Sequence, residues 1–105
     1  MAESLPINLP REGVRAFCRK WHVAQLALFG SVLRDDFRPD SDIDVLVAFA
    51  PETNPGWMER EAMTEELRQL FGRPVDLVDR RAVEESPNYI RRRSILESAR
   101  VIHGA

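Results

Sequence analysis

Asp42 and Asp44 open a run that is otherwise apolar, Asp-Ile-Asp-Val-Leu-Val-Ala-Phe over 42–49. β-Branched and aliphatic residues at that density predict a strand. Side chains two apart on a strand share a face, so Asp42 and Asp44 point one way while Ile43, Val45 and Val47 point the other. A fold that buries this strand must leave two carboxylates together at its beginning. Such a pair repels unless a cation neutralises it, and hard divalent ions with oxygen ligands, Mg²⁺ above all, are the natural remedy. Taken alone, an Asp-x-Asp is also what a solvated strand start or turn looks like.

The neighbouring segments give the pair a context. Residues 23–29, Val-Ala-Gln-Leu-Ala-Leu-Phe, read as a buried strand that stops at Gly30-Ser31. Glycine allows unusual φ and close backbone approach. A hydroxyl and exposed amides beyond it can take phosphate oxygens. A third apolar segment, Val75 to Val78, carries Asp76. If it lies beside 42–49, Asp76 joins the other two on one face. Asp79 is the rival, but alternation turns it away from Asp76. Ten residues separate Ser31 from Asp42. A phosphate cradle followed at that distance by a dication site suggests a metal-bound nucleoside triphosphate. Arg34 and Arg38 are candidate phosphate ligands in the intervening loop, or counter-charges for Asp35, Asp36 and Asp40. Ser41 suits capping of the turn before Asp42.

The remaining chain supplies helices. Pro10 suits a first turn. Val14, Phe17, Cys18 and Trp21 then recur at i, i+3, i+4 and i+7, which predicts a helix ending near Trp21-His22. Val32 to Asp40 reads as a short helical or irregular segment, and Pro51 to Gly56 as a turn-rich break. A second helix is expected from Trp57 to Phe71, with Met63, Leu67, Leu70 and Phe71 inward and Gly72 closing it in a left-handed conformation. Ser86-Pro87 reads as N-cap and first position of a last helix over 88–98. Arg100 to His103 reads as a final strand. This order predicts an α/β (α+β) fold, a small mixed sheet covered by helices. One domain is expected over 10–105, behind a loose arm at 1–9.

Composition removes several alternatives. The 105 residues carry 15 Lys+Arg against 17 Asp+Glu, a net charge of -2, so bulk electrostatics give no reason to expect direct nucleic-acid binding. One cysteine, Cys18, rules out an internal disulfide and a cysteine-based zinc site. No apolar run approaches the roughly 18 residues of a membrane span. Met-Ala-Glu-Ser-Leu-Pro has neither the basic nor the apolar stretch of a secretory signal, so the cytoplasm is the expected location. Cys18 falls on a core stripe, His22 at a helix end, and His103 near the last residue. Trp57 and Tyr89 suit partner contacts or helix-end packing. Arg91 to Arg93, with Arg80 and Arg81, suit a solvated helix face or a surface for an acidic partner or RNA.

Gly30, Ser31, Asp42, Asp44 and Asp76 together resemble the signature of the DNA polymerase β-like nucleotidyltransferase superfamily. The wording Arg38-Pro-Asp-Ser-Asp-Ile-Asp44 is closest to its minimal nucleotidyltransferase (MNT) group, and the resemblance runs from about Val23 to the C-terminus. It implies the polymerase β-like nucleotidyltransferase fold, ATP as substrate and two Mg²⁺ ions held by Asp42, Asp44 and Asp76. Gly30, Ser31, Arg34 and Arg38 would then bind the nucleotide. Many members resemble antitoxins paired with a HEPN-domain toxin. The resemblance therefore implies a protein adenylyltransferase that moves AMP from ATP to a toxin tyrosine. The alternatives are a non-catalytic antitoxin that neutralises its partner by contact and, with less room for an acceptor pocket, a small-molecule nucleotidyltransferase. One position departs from the family: Arg34 precedes Asp35, where members commonly read Arg-Gly. Asp tolerates left-handed backbone better than most residues, but it adds negative charge where a triphosphate would sit.

Overall fold

The computed structural model describes residues 9–30 and 41–104. The arm expected at 1–9, save Leu9, and the segment expected at 32–40 lie outside the described residues. β2 (Ile43–Phe49) is the strand around which the sheet is built. β1 (Val23–Phe29) pairs with it antiparallel on one side, and β3 (Val75–Asp79) pairs parallel on the other. β4 (Arg100–His103) adds antiparallel to β1, giving the order β3-β2-β1-β4.

Both faces of this sheet are covered, so its central strands are apolar on both sides. Ile43, Val45 and Val47 join Leu26 and Leu28 against Val14, Phe17 and Cys18 of α1 (Arg11–Trp21) and Met63 and Leu67 of α2 (Trp57–Phe71). On the opposite face Ala27, Phe29 and Leu46 meet Val83 of α3 (Arg80–Glu84) and Ile95 of α4 (Tyr89–Ser98). Each fully buried aliphatic chain of this kind contributes roughly 1.5–3 kcal/mol. None of the described helices is long and apolar enough to cross a membrane.

The helix ends follow local chemistry. His22 takes the left-handed conformation and its N–H donates to Cys18 O, closing α1. Gly72 does the same for α2, donating to Arg68 O at 2.8 Å. Two expectations are corrected. The last helix is capped by Asn88, whose side chain accepts from the Arg91 N–H at 3.2 Å, so neither Ser86 nor Pro87 takes the role expected of it. Ser86 Oγ instead accepts from the Asn88 N–H at 3.2 Å and shapes the turn before the helix. The five-residue α3 was not expected at all. It is too short for an apolar period, and it is set by Asp79 at its N-cap and the Arg80–Glu84 pair one turn apart.

Candidate functional site

The sheet brings the expected carboxylates to one end, where β1 finishes and β2 and β3 begin. Asp44 is the middle position, paired with Phe29 on β1 and with Asp76 on β3. Directly paired residues of neighbouring strands share a face, so Asp44 and Asp76 stand side by side. Their face is that of Leu46 and Val78, the side covered by α3 and α4. Asp42 lies one residue before β2 and is exposed. The start of β3 is fastened to this end by the Ile43 N–H, which donates to Pro74 O at 2.9 Å, between Asp42 and Asp44 in the chain.

Gly30 closes the third side. It has φ 78, and a Cβ built on it would overlap Asp44 Oδ2. Two independent constraints therefore demand glycine here, backbone conformation and contact with the carboxylate. Ser31, Arg34 and Arg38 lie outside the described residues, as do Asp35, Asp36 and Asp40.

The donor set is one of hard carboxylate oxygens on adjacent strand positions, which suits Mg²⁺ rather than a soft transition metal. Asp44 and Asp76 fit such an ion as a pair. Among the described residues, no three His, Cys, Asp or Glu side chains are gathered closely enough to hold a metal ion.

Asp79 is engaged elsewhere. Its Oδ2 accepts from Arg60 Nη2 at 2.9 Å, and its Oδ1 accepts from the Arg81 N–H at 2.9 Å. It thus ties α2 to the start of α3. Its signal in the sequence was the combination of an Asp at a strand end and Glu84 four residues after Arg80. Cys18 is buried, and burial pushes its thiol up to about 11, which keeps it neutral and unreactive.

The Nucleotidyltransferase domain family matches residues 11–103. A Methanocaldococcus jannaschii protein provisionally named a protein adenylyltransferase is 34% identical over 64 residues, 61% of this chain and 64% of that one. The chain thus spans under two thirds of that relative. A solved structure provisionally described as a minimal nucleotidyltransferase is 32% identical with 85% of each chain covered and a TM-score of 0.63. Two toxin–antitoxin structures share the fold at 20% identity. One, with AMP-PNP, has a TM-score of 0.69 and covers 92% of this chain and 75% of its own. The other, tri-AMPylated Shewanella oneidensis HEPN toxin in complex with MNT antitoxin, has a TM-score of 0.60 with 90% and 70% covered. The extent of the family match, together with Gly30, Asp44 and Asp76 at one sheet end, makes this chain a member of the nucleotidyltransferase domain family.

Proposed function

We propose that this chain is an antitoxin that transfers AMP from ATP to a tyrosine hydroxyl of a HEPN-domain toxin. The observation that carries the reading is the direct pairing of Asp44 with Asp76, with the Gly30 backbone closed against Asp44. The adenylyltransferase name of the archaeal relative and the AMPylated toxin of the Shewanella complex support the choice of AMP and of acceptor. The AMP-PNP complex supports ATP as the donor.

In this reading Asp44 and Asp76, joined by Asp42 from just before β2, would hold Mg²⁺, which would neutralise the triphosphate and favour ionisation of the attacking hydroxyl. The tyrosine oxygen forms a bond to the α-phosphorus, the bond from that phosphorus to the bridging oxygen breaks, and pyrophosphate leaves. Asp76 accepts the hydroxyl proton. Gly30, with no side chain to obstruct the approach, and Ser31 beside it receive the phosphate oxygens, with Arg34 and Arg38 balancing their charge. The catalytic contribution is chiefly positioning and charge neutralisation.

The test uses the HEPN-domain protein encoded beside this chain, if a neighbouring gene supplies one, with Mg²⁺ and ATP. Intact-mass spectrometry should show the partner gaining one or more AMP units, and Asp42→Asn with Asp44→Asn should abolish the gain. An unmodified but fully inhibited partner would replace this reading with antitoxin action by contact. Undiminished transfer by the double variant would move the chemistry elsewhere.

A further inference from the structure

Asp44 has a neighbour that the transferase reading leaves without a role. Phe29, the last residue of β1, is paired directly with Asp44 on one side, as Asp76 is on the other. Phe29, Asp44 and Asp76 therefore make one row across three strands, on one face of the sheet. Phe29 is only 8% exposed although it ends its strand. The next residue is Gly30, whose backbone lies so close to Asp44 Oδ2 that a Cβ would overlap it. Phe29 is thus the side chain from which the Gly30 contact is hung.

The last turn of α4 covers this position. β4 begins at Arg100, which pairs with Leu28, so Ala99 at the end of α4 stands at the level of Phe29. Ile95 lies one turn earlier, its carbonyl accepting from the Ala99 N–H at 3.0 Å. Ile95 and Phe29 belong to one buried cluster, with Leu96 and Ala99 packed against it. The seat of α4 on the sheet is narrow. Of its ten residues Ile95 alone is buried, and Tyr89 and Ile90 at its start are 60% and 70% exposed.

We infer that Phe29 and Ile95 are positioning residues for the Asp44 carboxylate. The inference rests on the reading of Asp44 and Asp76 as Mg²⁺ ligands. Neither hydrocarbon side chain has an atom to offer an ion, so both act through packing. Ile95 holds Phe29 down on the sheet, Phe29 fixes the end of β1, and that end keeps Gly30 against Asp44 Oδ2. Close-packed interiors pass the loss of a side chain on as a shift of its neighbours. A ligand set must be held to about 0.5 Å to work, so a small retreat of Gly30 frees the carboxylate to turn away from the direction it shares with Asp76.

Isothermal titration of Mg²⁺ into the chain, with folding checked by circular dichroism, tests this. Phe29→Ala and Ile95→Ala should each raise the Mg²⁺ Kd by roughly tenfold, the scale on which groups supporting a metal ligand act. Phe29→Leu and Ile95→Val should shift it less and in the same direction, and they carry the test if the alanine variants fail to fold. Val14→Ala separates positioning from plain loss of stability. Val14 is 3% exposed in the core on the other face of the sheet, so its loss should lower the urea midpoint and leave the Mg²⁺ Kd unchanged. Wild-type affinity in folded Phe29 and Ile95 variants overturns the inference and leaves the metal reading standing. A Val14→Ala shift as large as theirs also overturns it, since stability alone then explains the loss. A wild type that binds no Mg²⁺ defeats the metal reading and the inference with it.

Discussion

Asp44 on β2 and Asp76 on β3 are directly paired positions of a parallel ladder, so two carboxylates stand on one face of the sheet with Gly30 closed against the first. Like charges placed opposite one another on neighbouring strands destabilise a sheet by up to about 1 kcal/mol.

Removing the Asp76 charge should therefore cost nothing. In EDTA, Asp76→Asn should melt at the wild-type temperature or above it, and Asp44→Asn should remain folded. Adding Mg²⁺ should raise the wild-type Tm, because an ion that binds only the folded state stabilises it, and should leave both variants unmoved. Differential scanning fluorimetry reads both effects. A variant that melts lower in EDTA and still responds to Mg²⁺ would assign these aspartates a structural role.

Gly30→Ala carries the opposite expectation. The new Cβ meets both the left-handed backbone and Asp44 Oδ2. The conformation alone costs about 1–2 kcal/mol, and the displaced carboxylate adds loss of the Mg²⁺ response. Urea unfolding should show a lower midpoint at unchanged slope. A neutral Gly30→Ala would mean the strand end adapts to a side chain.

The pairing positions of Asp44 and Asp76 rest on strand patterns that announce themselves locally through alternation and apolar flanks. Val45 and Val47 fix which side of β2 is buried, and that fixes where Asp44 points. The partnership of β2 with β3 was conditional in the sequence, since nothing within 75–79 states which strand it joins. Asn88 was missed as a cap because Ser86-Pro87 is the stronger local signal, and only the folded turn shows which side chain reaches an α4 amide. The short α3 was missed because five residues are too few to display a period. Arg60, nineteen residues from Asp79, could be matched to it only once α2 had folded against β3.

Asp79→Ala separates the two aspartates of β3. It removes an N-cap, worth about 1 kcal/mol, and leaves Arg60 without its half-buried partner. The protein should lose on the order of 1–2 kcal/mol in urea unfolding, since both losses act on the folded state. Its response to Mg²⁺ should persist, whereas Asp76→Asn should lose that response and keep its stability. Isothermal titration of Mg²⁺ into both variants checks the contrast. Loss of binding in Asp79→Ala alone would exchange their roles.

Cys18 gives a pH signature of the core. Its thiol is raised from 9.0 to about 11 by burial, which disfavours the thiolate. The folded pKa lies above the unfolded one, so between pH 9 and pH 11 the unfolded chain has released a proton that the folded chain still holds. Unfolding free energy from this group is therefore intact below about pH 9 and declines as pH rises through that window. The two pKa values bound the loss at about 2–3 kcal/mol. Replacing Cys18 with Ala removes the decline but opens a cavity under α1, costing about 1–2 kcal/mol at neutral pH. The wild-type and Cys18→Ala stability curves should converge and then cross as pH rises from 8 towards 11. Iodoacetamide provides the independent check. At pH 8 the folded protein should stay unmodified by intact mass, while the urea-unfolded chain takes one label, because the thiolate is the reacting species. Rapid labelling of the folded chain would show that α1 opens readily and that Cys18 is not sealed in the core.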